Sequence, residues 1–205
     1  MTLSRRHLLL SAAALALAAT AGAAQTIDLT DLAKPSILGE MALGPETARV
    51  TVIEYASASC PHCADFFKGP YQALKKDYID TGKIRFIFRE FPHNDPATAA
   101  FMLARCAPPE KYFPMVDMFF EQQEMWTAAP KSGLFKIAQL AGFTQASFDA
   151  CLKNEKVAKG IIDVRNLAEE KFGITTIPSF FINGVRHEGD NTIEGFKKVI
   201  DPLLR

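Results

Sequence analysis

The sequence predicts a mixed α/β protein in which an α-helical lobe is inserted between two parts of one small β-sheet. Two runs rich in β-branched and apolar residues, Val50 to Ala56 and Ile84 to Phe91, come first; a helical period then holds from about residue 96 to 172, and β signals return at Ile177 to Ile182. The 205 residues are 48% apolar and 22% charged with 12 Gly and 12 Pro, which excludes disorder, collagen and a small disulfide-knit scaffold and leaves room for a sizeable core. Lys and Arg number 23 against 23 Asp and Glu, so no basic excess draws the chain to phosphate backbones and nucleic acid is not an expected partner.

Residues 1–23 read as a signal peptide ahead of a folded part at 24–205. Arg5 and Arg6 precede an Ala-rich uncharged stretch, Leu8 to Ala24, and Ala21-Gly22-Ala23 offers the small-x-small pattern of a cleavage site after Ala23. Ser4-Arg5-Arg6-His7-Leu8-Leu9 is similar to the twin-arginine export motif, although no Lys follows the leucines. The alternative is a membrane anchor that is never cut. Nothing after residue 25 sustains another spanning run, so no membrane insertion is expected after cleavage, and the mature protein is expected to be soluble outside the cytoplasm.

Residues 24–48 have weak periodicity, broken by Pro35, Gly39, Gly44 and Pro45, and predict at most a short edge strand around Ile37. Val50 to Ala56, with Glu54 its one charge, predicts a buried strand that ends close to a helix start at Cys60-Pro61-His62-Cys63. That helix continues through Phe66, Phe67, Tyr71, Leu74 and Tyr78 until Gly82 stops it, and Ile84 to Phe91 follows as a strand covered on both faces. Asp95-Pro96 supplies an N-cap and a first-turn proline for the first inserted helix, whose apolar stripe ends in Cys106. Further stripes run over Tyr112 to Phe120, over Lys131 to Ala141, from a Thr144 cap through Phe148, Cys151 and Leu152, and over Val157, Ile161, Val164, Leu167 and Phe172. Asn183-Gly184 signals a two-residue hairpin between Ile177–Ile182 and Val185–His187, and Thr192 to Leu204 makes a closing amphipathic helix. No linker or repeat divides these elements, so one folding unit with two lobes is expected. The Phe-rich stretches at 66–67, 86–91 and 119–120 are assigned to its core.

Cys60 at a helix cap position would point its sulfur at the unpaired amide groups of the first turn, a geometry that stabilises a thiolate. Pro61 fits the first helical position, and His62 can supply a further positive or hydrogen-bonding group to the same sulfur. A lowering of roughly 3 to 5 units from an ordinary thiol pKa would favour the reduced form by several kcal/mol and make the Cys60/Cys63 disulfide more oxidising by on the order of 100 mV. Three readings of the pair stand side by side: a redox-active disulfide, a passive structural one, and a thiol site in which Cys60, His62 and Cys63 hold Cu(I). For Glu54 the alternatives are a proton-handling group and an ion pair with Arg85 or Arg89 on the next strand.

Cys-Pro-His-Cys at a strand-to-helix turn, together with Thr176-Ile177-Pro178 before a later strand, resembles the DsbA family of thioredoxin-like periplasmic thiol:disulfide oxidoreductases, over about residues 35 to 205. The resemblance implies a thioredoxin fold whose helical lobe lies between the Cys60–Cys63 helix and strand and the cis-proline strand. It implies a cis Pro178 facing the disulfide, with Thr176, Ile177 and Pro178 binding an extended peptide as an added strand. It places Glu54 beside the buried Cys63 as a proton relay. Some relatives carry a second disulfide in the helical lobe, which implies a Cys106–Cys151 bond; the alternative is two buried free thiols. A low-pKa, strongly oxidising thiol is already a mark of that family, so the figure of ~100 mV agrees with the resemblance and is not independent of it.

The expected activity is therefore donation of the Cys60/Cys63 disulfide to reduced or unfolded exported proteins in the periplasm through a mixed disulfide on Cys60. No cofactor or metal is expected beyond the redox-active pair, and reoxidation falls by resemblance to a DsbB-like membrane partner. A reductase or isomerase working from the dithiol form is the second reading. Its dimeric version needs a separate dimerisation domain, for which the short segment before Val50 leaves little room. The copper-handling module is the third.

Overall fold

The computed structural model describes residues 29–205, so the expected signal peptide at 1–23 lies outside the described residues. In chain order the elements are α1 (Leu29–Ala33), β1 (Met41–Leu43), β2 (Val50–Ala56), α2 (Pro61–Lys68), α3 (Pro70–Leu74) with a π-turn at Lys75–Ile79, and β3 (Ile84–Glu90). The helical lobe follows as α4 (Asp95–Cys106), a 3₁₀ turn at Pro109–Lys111, α5 (Tyr112–Glu121), α6 (Gln123–Ala128), α7 (Pro130–Leu140), α8 (Gln145–Leu152) and α9 (Glu155–Phe172). Then come β4 (Ser179–Ile182), β5 (Val185–Arg186) and α10 (Ile193–Leu203).

The strands form one sheet in the order β1-β3-β2-β4-β5, with β2 and β3 parallel and the other pairs antiparallel. Strand alternation sorts its side chains between two cores. Val50, Val52, Phe86, Phe88, Phe180 and Ile182 face α2, α3, α10 and most of the lobe. Ile53, Tyr55, Ile87 and Phe181 face Leu32 of α1 and Val164, Ala168 and Phe172 of α9. Coverage on both sides explains why β2 and β3 read as near-continuous apolar runs and not as alternating ones.

Several boundaries differ from the sequence reading for identifiable reasons. The edge strand forms at Met41–Leu43 against β3, while Ile37 lies in a turn with 74% of its surface exposed. The helix after Cys60 breaks at Gly69-Pro70, because Pro70 has no N–H to continue the ladder and the Gly69 N–H closes on Asp65 and Phe66. The cap of α4 is Asn94, whose side-chain oxygen accepts from the Ala97 N–H at 2.9 Å, one residue before the expected Asp95. Leu167, placed on the apolar stripe of α9, is exposed. Thr144 caps α8 through a reciprocal box with Ser147, and Asn183 and Gly184 take φ of 46° and 82°, the left-handed pair of a tight hairpin.

The lobe is fastened to the sheet by charge as well as by apolar area. Glu90, fully buried at the end of β3, accepts from the Arg105 guanidinium on α4 and from the Tyr112 hydroxyl at 2.7 Å, while Arg105 also donates to the Leu38 and Gly39 carbonyls at 3.1 and 3.0 Å. Each polar group taken from water there has a partner, the condition under which such burial is tolerated. Cys106 and Cys151 are joined in a disulfide between the ends of α4 and α8, with Cα atoms 6.0 Å apart and a sequence separation of 45. In the chain-entropy account a loop of that length contributes about 4 kcal/mol. Replacing both cysteines by Ala is accordingly expected to lower the unfolding free energy by about 2–4 kcal/mol, read as a drop in denaturant midpoint with a somewhat steeper slope, because the unfolded chain without the cross-link is more open.

Candidate active site

The turn between β2 and α2 places Cys60 at the helix cap. Cys60 has extended backbone (φ −84°, ψ 121°), its N–H donates to the Ser57 carbonyl at 3.1 Å, and its carbonyl accepts the Ala64 N–H to open α2. Pro61 occupies the first turn, where no N–H is needed. Cys63 lies one turn on with none of its surface exposed, whereas Cys60 keeps 7%.

The two thiols are driven apart in acidity. The Cys60 thiol is pushed down to about 6, chiefly because the Cys63 S–H donates to its sulfur; burial opposes this, and the backbone N–H groups of Cys63 and His62 and the charge of His93 reinforce it. Cys63 is pushed far above the ordinary thiol range, first by burial, then by the hydrogen bond and charge it shares with Cys60, with a smaller contribution from the charge of Glu54. In the dithiol form one sulfur is therefore a thiolate near neutral pH and the other remains its proton donor. The lowering of Cys60 sits near the modest end of the range expected from the motif.

Glu54 lies on β2 opposite Phe88 and Phe180, with 3% of its surface exposed, and burial pushes its carboxyl up to about 8. Its side chain forms no hydrogen bond or ion pair among the described residues. The ion pair considered with Arg85 or Arg89 is not made, since both arginines have the opposite strand parity on β3. Arg89 instead binds Glu40 at 2.9 Å, the Tyr55 hydroxyl at 2.8 Å and the Lys34 carbonyl at 3.0 Å, and Arg85 pairs with Glu46.

Across the site the Ile177–Pro178 peptide is cis, and the Ile177 carbonyl lies 3.8 Å from the Cys60 sulfur. Ser179 Oγ donates to the Thr176 carbonyl at 2.6 Å and holds this loop against the start of β4; the Thr176 side chain is exposed. Cys60, Pro61, Ile177 and Pro178 thus meet at one surface, with Cys63 and Glu54 beneath it. The ring of His62 does not join them. Its side chain is 85% exposed and its nearest ionic partner is Asp65, 4.0 Å away.

A family model described as "Thioredoxin" matches residues 36–202. The crystal structure of Wolbachia pipientis alpha-DsbA1 superposes with a TM-score of 0.78 at 33% identity, covering 85% of this chain and 94% of that one. The chain belongs to the DsbA family of thioredoxin-like proteins. Oxidised BdbD from Bacillus subtilis, at 22% identity and TM-score 0.70 over 83% of this chain and 96% of that one, shares the fold. A Rickettsia typhi protein named "Putative protein-disulfide oxidoreductase" is 34% identical over 168 residues, which make up 80% of this chain and 62% of that protein. The chain therefore spans about three fifths of the length of that curated relative. The fold is a thioredoxin fold carrying an inserted helical lobe, and no helix among the described residues is long and apolar enough to cross a membrane.

Three residues around the Cys60–Cys63 turn of this DsbA-family chain were not singled out from the sequence. Gln123, buried at the start of α6, donates from Nε2 to the carbonyls of Ala58 and Cys60 at 2.8 and 3.0 Å, clasping the turn from the helical lobe. His93 and Asn94, in the segment between β3 and α4, bond to Ser57 and Ser59 on the same turn. Asn94 carried a readable signal, an Asn three residues before Ala97 at a helix start; a lone Gln or His carried none.

The buried carboxyl has a measurable signature. The folded form holds the Glu54 proton up to about pH 8 while the unfolded chain releases it near 4.5, so between those values the native state binds more protons and stability falls as pH rises. Replacing Glu54 with Gln is expected to flatten that slope, leaving the variant more resistant to denaturant than its parent at pH 8 and close to it at pH 5. Parallel unfolding curves at both pH values check this.

Proposed function

We propose that this chain is a thiol:disulfide oxidoreductase that donates its Cys60/Cys63 disulfide to reduced or unfolded exported proteins. The observation that carries the reading is the split acidity of the pair: a Cys60 sulfur stable as thiolate beside a Cys63 that stays protonated. Whatever stabilises the reduced pair makes the disulfide a stronger oxidant. A substrate thiolate attacks the Cys60 sulfur, the Cys60–Cys63 bond breaks, and Cys63 leaves as a thiolate that takes up a proton. A second substrate thiolate then attacks the substrate sulfur of the mixed disulfide and expels Cys60 as a thiolate. The substrate dithiol has lost two electrons and the Cys60/Cys63 pair has gained them.

Glu54 is the proton source for the departing Cys63, being protonated below about pH 8 and electrostatically coupled to that sulfur. The main chain of Ile177, with Thr176 and Pro178, presents the surface along which an extended peptide adds as a strand, which leaves little side-chain readout and a broad substrate range. His62 adds its backbone N–H to the thiolate and keeps its ring at the mouth of the site. Export by the 1–23 segment places the reaction in the periplasm, where disulfides persist. Reoxidation by a DsbB-like membrane protein closes the cycle, and no cofactor takes part besides the disulfide itself.

Equilibration of the pair with glutathione tests the direction. A disulfide that glutathione reduces almost completely at equal thiol and disulfide supports donation, and one that stays oxidised against excess glutathione moves the assignment to a reductase. In a Cys63→Ala variant given a disulfide-bonded peptide, the Cys60 thiolate is expected to break the peptide S–S bond, release one peptide thiol and accumulate as the mixed disulfide, since no Cys63 remains to resolve it. Mass-mapped adducts on Cys106 or Cys151 instead would sink the assignment of Cys60 as nucleophile.

A further inference from the structure

We propose that His93, outside the Cys-Pro-His-Cys motif, is a positioning and charge-supplying residue that favours the Cys60 thiolate from a fixed seat against the turn carrying Cys60. The inference deepens the proposed exchange at Cys60 and rests on it. The seat is built from both sides of the ring. Nδ1 of His93 lies 2.8 Å from the Oγ of Ser57, a fully buried residue whose carbonyl accepts the Cys60 N–H. Nε2 lies 3.1 Å from the Asn94 amide nitrogen.

The orientation of Asn94 follows from its other duties. Its Oδ1 accepts the Ala97 N–H as the cap of α4 and the Ser59 hydroxyl at 3.0 Å, so the nitrogen end of the amide faces His93 and donates. Nε2 of the neutral ring is then the acceptor, and Nδ1–H donates to Ser57 Oγ. Both ring nitrogens are engaged by groups tied to residues three and one before Cys60, and the Phe91 N–H pins the same segment to the Ala56 carbonyl at 2.8 Å. The His62 ring, by contrast, is held by nothing closer than Asp65 at 4.0 Å.

A held ring is also a place to put charge. A positive ring in that seat attracts a thiolate on the turn it rests against. The Coulomb pull of His93 on Cys60 has this sign. Other titratable or charged groups around the turn are His62, Asp65 and Lys68 on α2, Asp95 on α4 and Glu124 on α6, all exposed and of mixed sign, and the buried Glu54 on β2, which acts on Cys63.

The test uses the chain with its active-site pair reduced, following ultraviolet thiolate absorbance against pH in the parent, His93→Asn, Ser57→Ala and the double variant. Asn can still donate to Ser57 in place of Nδ1 but carries no charge. His93→Asn is expected to raise the Cys60 midpoint by about 0.7 unit and to lower the glutathione equilibrium constant at pH 7 about three- to fourfold. Ser57→Ala is expected to shift the midpoint less, and the double variant to match His93→Asn alone, because the serine acts through the ring. A midpoint for His93→Asn within about 0.2 unit of the parent, or shifts of the two single variants that add, overturns the proposal. A parent midpoint in the ordinary thiol range would instead sink the donor reading of the whole site, so the two failures are distinct.

Discussion

The hydrogen bond from the Cys63 thiol to the Cys60 sulfur is the contact on which the site depends, and it exists because the sheet and helix bury the two atoms unequally. A carboxylate or ammonium placed where Cys63 lies would be desolvated at great cost, but a thiol simply keeps its proton and becomes a donor. Deep burial of one sulfur thus becomes stabilisation of charge on the other. The helix start adds two amide groups to the same end, so strand β2, the turn and the first turn of α2 act as one electrostatic unit.

The helical lobe belongs to this unit and is not an ornament on it. Gln123 reaches from α6 to the carbonyls of the turn, while the Glu90–Arg105–Tyr112 cluster binds α4 and α5 to the end of β3. The first holds the turn that His93 and Asn94 rest against, and the second holds the end of β3 from which their segment leaves. Buried polar contacts of this kind specify one arrangement more than they add net stability, since their desolvation consumes much of what they return.

Much of the fold was legible in the residues because period and punctuation agreed: Val50 to Ala56, the Asn183-Gly184 hairpin and the Thr144 cap follow local rules. Boundaries slipped where tertiary contact decided among local options. Asn94 displaced Asp95 as a cap because its amide also reaches Ser59 and His93, and Met41–Leu43 became the edge strand because β3 was there to pair with it. In the site, the cysteines and Pro178 were marked by spacing and motif. Glu54 was marked by an isolated charge in an apolar run, and strand parity in the folded sheet then removed its arginine partners. Gln123 and His93 were invisible for a physical reason: their importance comes from which main-chain and hydroxyl groups lie opposite, a property of the closed fold.

Gln123 grips its target through oxygens that every amino acid possesses. A change of side chain at residue 60 leaves both acceptors of that grip in place, whereas the glutamine itself has no substitute of the same reach and donor count. Lineages exploring new reactivities at this turn are therefore free to change what is held long before they can change what holds it.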